Sequence, residues 1–252
     1  TRSILDALEA GYRLIDTASV YGNEKTVGRA VRESSIPREE IFITSKVWNT
    51  DQGYESTLSA FDASLNRLET DYLDLYLIHW PIPAGYEKDY RDLNRETWKA
   101  MERLYKEGQA RAIGVSNFLP RHLEALMEQA DTIPMVNQLE INPRYHQTEA
   151  VAFCREHGIL VESWGPLARG GVLEEPVLRR IADKHKKSVA QICLRWELQR
   201  GIVPLPKSVH ADRIKANLDV FGFSLDGEDM ALIDTLDAPG HYSIHPDHLS
   251  EE

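Results

Sequence analysis

Cysteine is scarce in this sequence: Cys154 and Cys193 are the only two among 252 residues. Two thiols cannot build a disulfide framework, and neither has the His and Cys neighbours of a zinc site. A reducing cytoplasm is the expected compartment. Basic runs are also missing, with 29 Lys and Arg against 40 Asp and Glu and a net charge of -11. Binding that depends on neutralising nucleic-acid phosphates is therefore excluded. No apolar stretch approaches the roughly 18 residues that span a bilayer. There is no Gly-, Ser- or Pro-rich linker and no break in composition, so residues 1–252 read as one domain. What is present is ordinary globular material, 42% hydrophobic and 27% charged, with ample apolar residues for a core.

The apolar pattern alternates between two periods. TRSILDALEAG ends a helix at Gly11 and feeds directly into the strand YRLIDTA. EIFITSK is a strand, followed by a helix over about 51–68 in which Tyr54, Leu58, Phe61, Leu65 and Leu68 recur every three or four residues. YLDLYLIHW, ARAIGVS, MVNQLE, GILVESW and GIVPLP supply five further strands. Helices fall over about 94–106, 119–129, 148–157, 175–186, 188–200, 212–218 and 227–236. Strands separated by helices at this rhythm form βαβ units and a parallel sheet. Seven strands are countable. Because the chain opens at Thr1 within a helix that leads into a strand, the strand expected before that helix lies outside it. With that strand the count is eight, so the expected fold is a (β/α)8 TIM barrel missing its first strand.

Such a barrel carries its chemistry in the loops at the C-terminal ends of its strands. The polar or aromatic residues there are Asp16, Lys46 and Trp48, His79 and Trp80, Ser116 and Asn117, Gln138 and Glu140, Trp164, and Lys207 with Ser208. Taken singly, each has an ordinary structural reading: Asp16 as a loop cap, Tyr21 as a rim aromatic, His79 as a satisfied histidine, the tryptophans as core. Lys46 is the exception, since an ammonium aimed at the barrel mouth needs a nearby anion, which Asp16 can supply. A lysine beside Tyr21 is expected to lower the phenol from its reference pKa of about 10 and suit it to general-acid work.

Taken in order, GYRLIDTASVYGNE, the Lys of ITSKVW, the His of LYLIHWP, GVSNF, NQLEINP and LPKS resemble the aldo-keto reductases. The short loops and the tail are most similar to the bacterial branch containing 2,5-diketo-D-gluconate reductases. The resemblance runs from residue 1 to about residue 238, and against it the chain also lacks the N-terminal hairpin that closes the barrel floor. It implies NADPH-dependent reduction of an aldehyde or ketone, with a diketo sugar acid or a small dicarbonyl among the substrates to consider. In that reading Tyr21 protonates the carbonyl oxygen, Lys46 tunes Tyr21, Asp16 holds Lys46, and His79 orients the carbonyl. Trp48, His79 and Trp80 contact the substrate. Ser116, Asn117 and Gln138 bind the nicotinamide carboxamide, and Trp164 stacks on its ring, with Gly165 and Leu167 beside it. Lys207, Ser208 and Arg213 take the 2'-phosphate, and Asn217 lies near the adenine. The resemblance also implies a monomer.

Two departures from the family matter. Ala216 stands where the family often has Glu, which removes one adenine contact. There is no G-x-G-x-x-G, so the dinucleotide is not held by a Rossmann turn. No metal site is expected: no H-x-H pair stands at a strand end, and the tail histidines His241, His245 and His248 have no accompanying carboxylate pattern. The runner-up function is a barrel that binds NADPH as a sensor or regulatory subunit with little turnover. The complete set Asp16, Tyr21, Lys46 and His79 argues against it, because a pure binder has no use for the acid.

Overall fold

In a computed structural model that describes residues 1–238 and 243–247, seven parallel strands follow one another in sequence order. They are β1 (Leu14–Asp16), β2 (Phe42–Val47), β3 (Leu75–Ile78), β4 (Ile113–Ser116), β5 (Val136–Glu140), β6 (Leu160–Trp164) and β7 (Val203–Leu205). The helices are α1 (Arg2–Ala10), α2 (Glu24–Glu33), α3 (Tyr54–Leu68), α4 (Tyr90–Lys106), α5 (Pro120–Met127), α6 (Thr148–Glu156), α7 (Pro176–His185), α8 (Val189–Gln199), α9 (Ala211–Leu218) and α10 (Gly227–Asp234). This is the nearly closed barrel of the TIM type. All seven expected strands are present, and β1 and β7 form the two edges among the described residues.

The helical ring continues across that gap, where α1, which precedes β1, lies against α9, which follows β7. The Tyr12 hydroxyl donates to the Ile214 carbonyl at 3.3 Å. Helix α1 stops at Gly11, whose φ of 114° is a conformation that side chains with a Cβ disfavour.

The period-2 alternation of the strands sorts side chains between barrel interior and helical shell. On β3, Tyr76 and Ile78 face outward into the main core with Phe61 and Trp98, while Leu75 and Leu77 form a small inner cluster with Val136. Above this apolar floor the inner face turns polar: Lys46 on β2, Gln138 and Glu140 on β5, and Glu162 on β6 are all buried. Gly114 leaves room between the strands there, since a Cβ at this position would lie 2.4 Å from the Val136 carbonyl oxygen and 2.9 Å from Leu77 Cδ2.

Two helix starts differ from the sequence expectation by more than one residue. Residues 49–51 form a separate 3-10 turn, and α3 starts only at Tyr54, after Gly53 at φ 109° breaks the helical path. Helix α4 begins four residues earlier than its apolar stripe suggests, because its first turn is polar. No helix among the described residues is long and apolar enough to cross a membrane.

Candidate active site

Strand β2 delivers Lys46 into the mouth with its side chain wholly buried. A bare ammonium there would be prohibitively costly, and three acceptors meet it: Asp16 Oδ1 and Oδ2, both at 2.7 Å, and the Thr17 carbonyl at 2.9 Å. All three hydrogens of the ammonium have acceptors within reach, which fixes its position. The Ser19–Tyr21 turn after β1 is tied back by Ser19 Oγ donating to the Lys46 carbonyl at 3.1 Å. That turn sets the Tyr21 ring 5.3 Å from Lys46 Nζ.

The Tyr21 phenol does not behave as the sequence led us to expect. Burial pushes its pKa up, and Lys46 pulls it down by less, so the net direction is above the ordinary value of 10.0. Tyr21 nevertheless remains half-exposed, at 50%, and thus reachable from the barrel mouth. A phenol that keeps its proton at neutral pH beside an ammonium can give that proton up when negative charge develops next to it.

His79 closes the cluster at the end of β3. Its ring meets Tyr21 edge-on at 5.6 Å and Trp48 edge-on at 5.1 Å, and lies nearly parallel to Trp80 at 6.4 Å. Burial and the Lys46 charge hold its pKa well below 6.5, so the imidazole is neutral, and its Nδ1 is buried without a partner. A neutral imidazole carries one N–H to donate and no additional proton to give up.

Asn117 follows β4 in the left-handed region at φ 65°, which Asn tolerates better than most residues. Its Nδ2 donates to the His79 carbonyl at 3.0 Å and to Ser116 Oγ at 3.1 Å, while its Oδ1 accepts from Trp164 Nε1 at 2.8 Å. Ser116 Oγ in turn donates to the Gln138 carbonyl at 2.8 Å. The sequence reading missed Glu162, which accepts from Gln138 Nε2 at 2.9 Å; the same nitrogen donates to Asp16 Oδ1 at 2.8 Å. One signal could have found it: Glu162 lies two residues before Trp164 on one strand, and so on the same inward face.

Whether this mouth suits a nicotinamide can be judged from these bonds. Both hydrogens of Gln138 Nε2 go to carboxylates, which leaves Oε1 as the amide's remaining group, an acceptor for a carboxamide N–H. The Asn117 bond pins one edge of the Trp164 indole, and the residue stays only partly buried at the rim. Gly165, at φ 67°, and the partly buried Leu167 continue that rim. One strand further on, Lys207 and Ser208 follow β7, Arg213 sits in the first turn of α9 and Asn217 in its last. Lys207 and Arg213 are exposed, and none of the ion pairs among the described residues engages them. These groups fit a dinucleotide with a phosphorylated ribose.

Part of the tail returns to the mouth. Ser243 N donates to Glu140 Oε2 at 2.9 Å, and Asp247 pairs with Arg121 and lies 3.2 Å from His122 Nε2 on α5. Burial lowers His122 to about 4, so this contact is made by a neutral ring. His241 and His248 lie outside the described residues. His245 is among them, and no group of three potential metal ligands occurs among the described residues.

The class of protein follows from the comparison with known families. The model of the Aldo/keto reductase family matches residues 2–238, and the chain belongs to that family. Among curated relatives, it is 53% identical over 249 residues to the glyoxal reductase of Bacillus subtilis (strain 168), covering 99% of this chain and 87% of that protein. A point variant of Gox0644, solved in complex with NADPH, superposes with a TM-score of 0.92 at 42% identity, over 99% of this chain and 89% of that one. A putative 2,5-diketo-D-gluconic acid reductase B superposes at 0.92 with 34% identity, over 100% and 87%.

Proposed function

We propose that this aldo-keto reductase reduces a small aldehyde or ketone, with an α-dicarbonyl as the favoured substrate class, and that Tyr21 donates the proton. When bound, NADPH supplies the hydride to the carbonyl carbon. The observation carrying this reading is the buried Lys46 ammonium, held by Asp16 and Thr17 and presented to the Tyr21 ring. As the carbonyl oxygen gains negative charge, Tyr21 gives its proton to that oxygen, and the resulting phenolate is stabilised by Lys46. His79, neutral and walled by Trp48 and Trp80, donates a hydrogen bond to the same oxygen and excludes water from it. The three indoles at the mouth favour a compact substrate, and the kinship with a glyoxal reductase supports a dicarbonyl.

The deciding assay follows NADPH consumption with a panel of aldehydes, glyoxals and diketones. Turnover of at least one class is expected. Tight NADPH binding without turnover of any substrate would sink the reductase reading in favour of a sensor.

Cofactor choice has its own test. Lys207 and Arg213 place two cations, without an ion pair among the described residues, beside the start of α9 on a protein of net charge -11. Arg213→Ala should weaken NADPH by about 10-fold or more, the worth of a charge-assisted hydrogen bond, and leave NADH nearly unchanged. Fluorescence titration with both cofactors checks this; equal weakening of the two removes the phosphate assignment.

A further inference from the structure

Glu162 belongs to no step described above, yet it is 3% exposed inside the barrel and one hydrogen bond from the catalytic cluster. Gln138 and Glu162 are direct partners in the β5–β6 register, so both side chains leave their strands on the same inner side. The connection runs Lys46 Nζ to Asp16, Asp16 Oδ1 to Gln138 Nε2, and the same Nε2 to Glu162 Oε2, with every link at 2.7 to 2.9 Å. An amide with a carboxylate on each side of its nitrogen has only one tolerable orientation. Turning it over would set Oε1 against two carboxylates and deprive Glu162 of the Gln138 donor, while Asp16 would keep only Lys46.

We propose that Glu162 is a positioning residue: by accepting the second hydrogen of Gln138 Nε2 it locks that amide with Oε1 available to the cofactor carboxamide, and places a carboxylate behind the nicotinamide site. This rests on the dinucleotide reading of the mouth and goes beyond it, since Glu162 itself touches neither cofactor nor substrate. Asp16 alone would hold one hydrogen of the amide and leave the other unsatisfied in a buried site. With Glu162 present the amide is held at both hydrogens.

The electrostatic part follows from charge. The groups facing Glu162 are Gln138 from β5, Asp16 from β1 and Lys46 from β2, while its register partner on β7 is the apolar Val203. Burial raises the Glu162 pKa to about 7, opposed by the Gln138 hydrogen bond, reinforced by Asp16 and opposed again by Lys46. Glu162 therefore gains its negative charge as pH rises through neutrality. The nicotinamide ring is neutral in NADPH and positive in NADP+, so the ionised carboxylate favours the oxidised form. The two cofactors carry the same 2'-phosphate, whose own titration cancels in the ratio of their affinities.

The test is binding, not turnover. Dissociation constants for NADPH and NADP+ are measured between pH 5.5 and 8.5 on the wild-type protein and on Glu162→Gln. In the wild type, NADP+ should tighten relative to NADPH by about tenfold across that range, as expected for two charges in a partly shielded site. In Glu162→Gln, which keeps an acceptor for Gln138 but no charge, the ratio should be flat. Glu162→Leu removes the acceptor as well and should weaken NADPH at every pH by about tenfold; if it does not fold, the Gln variant decides. A wild-type ratio that is flat, or a Gln variant that keeps the wild-type slope, overturns the Glu162 assignment alone. Absence of any NADPH binding by the wild type overturns the cofactor reading and this inference with it.

Discussion

Tyr21→Phe is expected to lower kcat for carbonyl reduction by about 100-fold to 10,000-fold, the range that a positioned general acid contributes. The substitution removes one oxygen and keeps the ring, so the edge-on contact with His79 at 5.6 Å and the approach of Lys46 at 5.3 Å persist. Cofactor affinity should stay within about twofold, and the loss should fall on kcat and kcat/KM alike, as for an interaction made in the transition state. Steady-state kinetics with a fluorescence titration of NADPH separates the two. Activity near wild type in the Phe variant would refute the acid role of Tyr21. The pKa directions add a further check. With the phenol above its ordinary 10.0, the midpoint of the alkaline decline in reduction rate should lie above pH 10, where the acid has lost its proton before the substrate arrives.

Lys46→Met should damage both activity and stability. Methionine fills much the same volume, but Asp16 then loses the ammonium that meets both its oxygens and keeps only Gln138 as a donor. Breaking a buried ion pair by removing one partner costs about 3 to 5 kcal/mol, and the lower end applies because Asp16 retains 19% of its side-chain surface. For a chain of this length about 3 kcal/mol corresponds to a fall in Tm of roughly 6 to 12 °C. Calorimetry measures it. Asp16→Asn together with Lys46→Met should recover much of that loss while leaving the enzyme inactive, because the uncompensated charge is gone but the phenolate has no cation. An unchanged Tm in the single variant would mean that Asp16 finds another partner or a proton.

How far the sequence revealed this molecule depends on which interactions are local. Strands β2 to β6 were visible because each carries an apolar run bounded by polar residues, and helix α3 because its stripe repeats every three to four positions. The start of α3 was misplaced because the interruption is conformational: Gly53 breaks the path without changing polarity. The pairing of Lys46 with Asp16 was legible, since a charge at a buried strand end demands a counter-charge on the neighbouring strand. The direction of the Tyr21 shift was not, because it depends on how much water the folded mouth removes from the ring, and that is a sum over many distant residues. Glu162 escaped for a related reason. In LVESW it reads as one polar residue in an apolar strand, and its partner Gln138 lies 24 positions earlier.

The layered interior has a consequence for how the enzyme responds to ionic strength. Lys46, Asp16, Gln138 and Glu162 sit above an apolar floor and beneath a rim of indoles, whereas Lys207 and Arg213 stand in open solvent. Mobile ions screen exposed charges over about 8 Å at physiological salt and penetrate a packed interior poorly. On the proposed cofactor reading, added salt therefore acts on the capture of the 2'-phosphate and much less on the largely buried Lys46–Asp16–Gln138–Glu162 cluster. The fold thus places its two sets of charges in different electrolytes, one set by the cell and one by the protein.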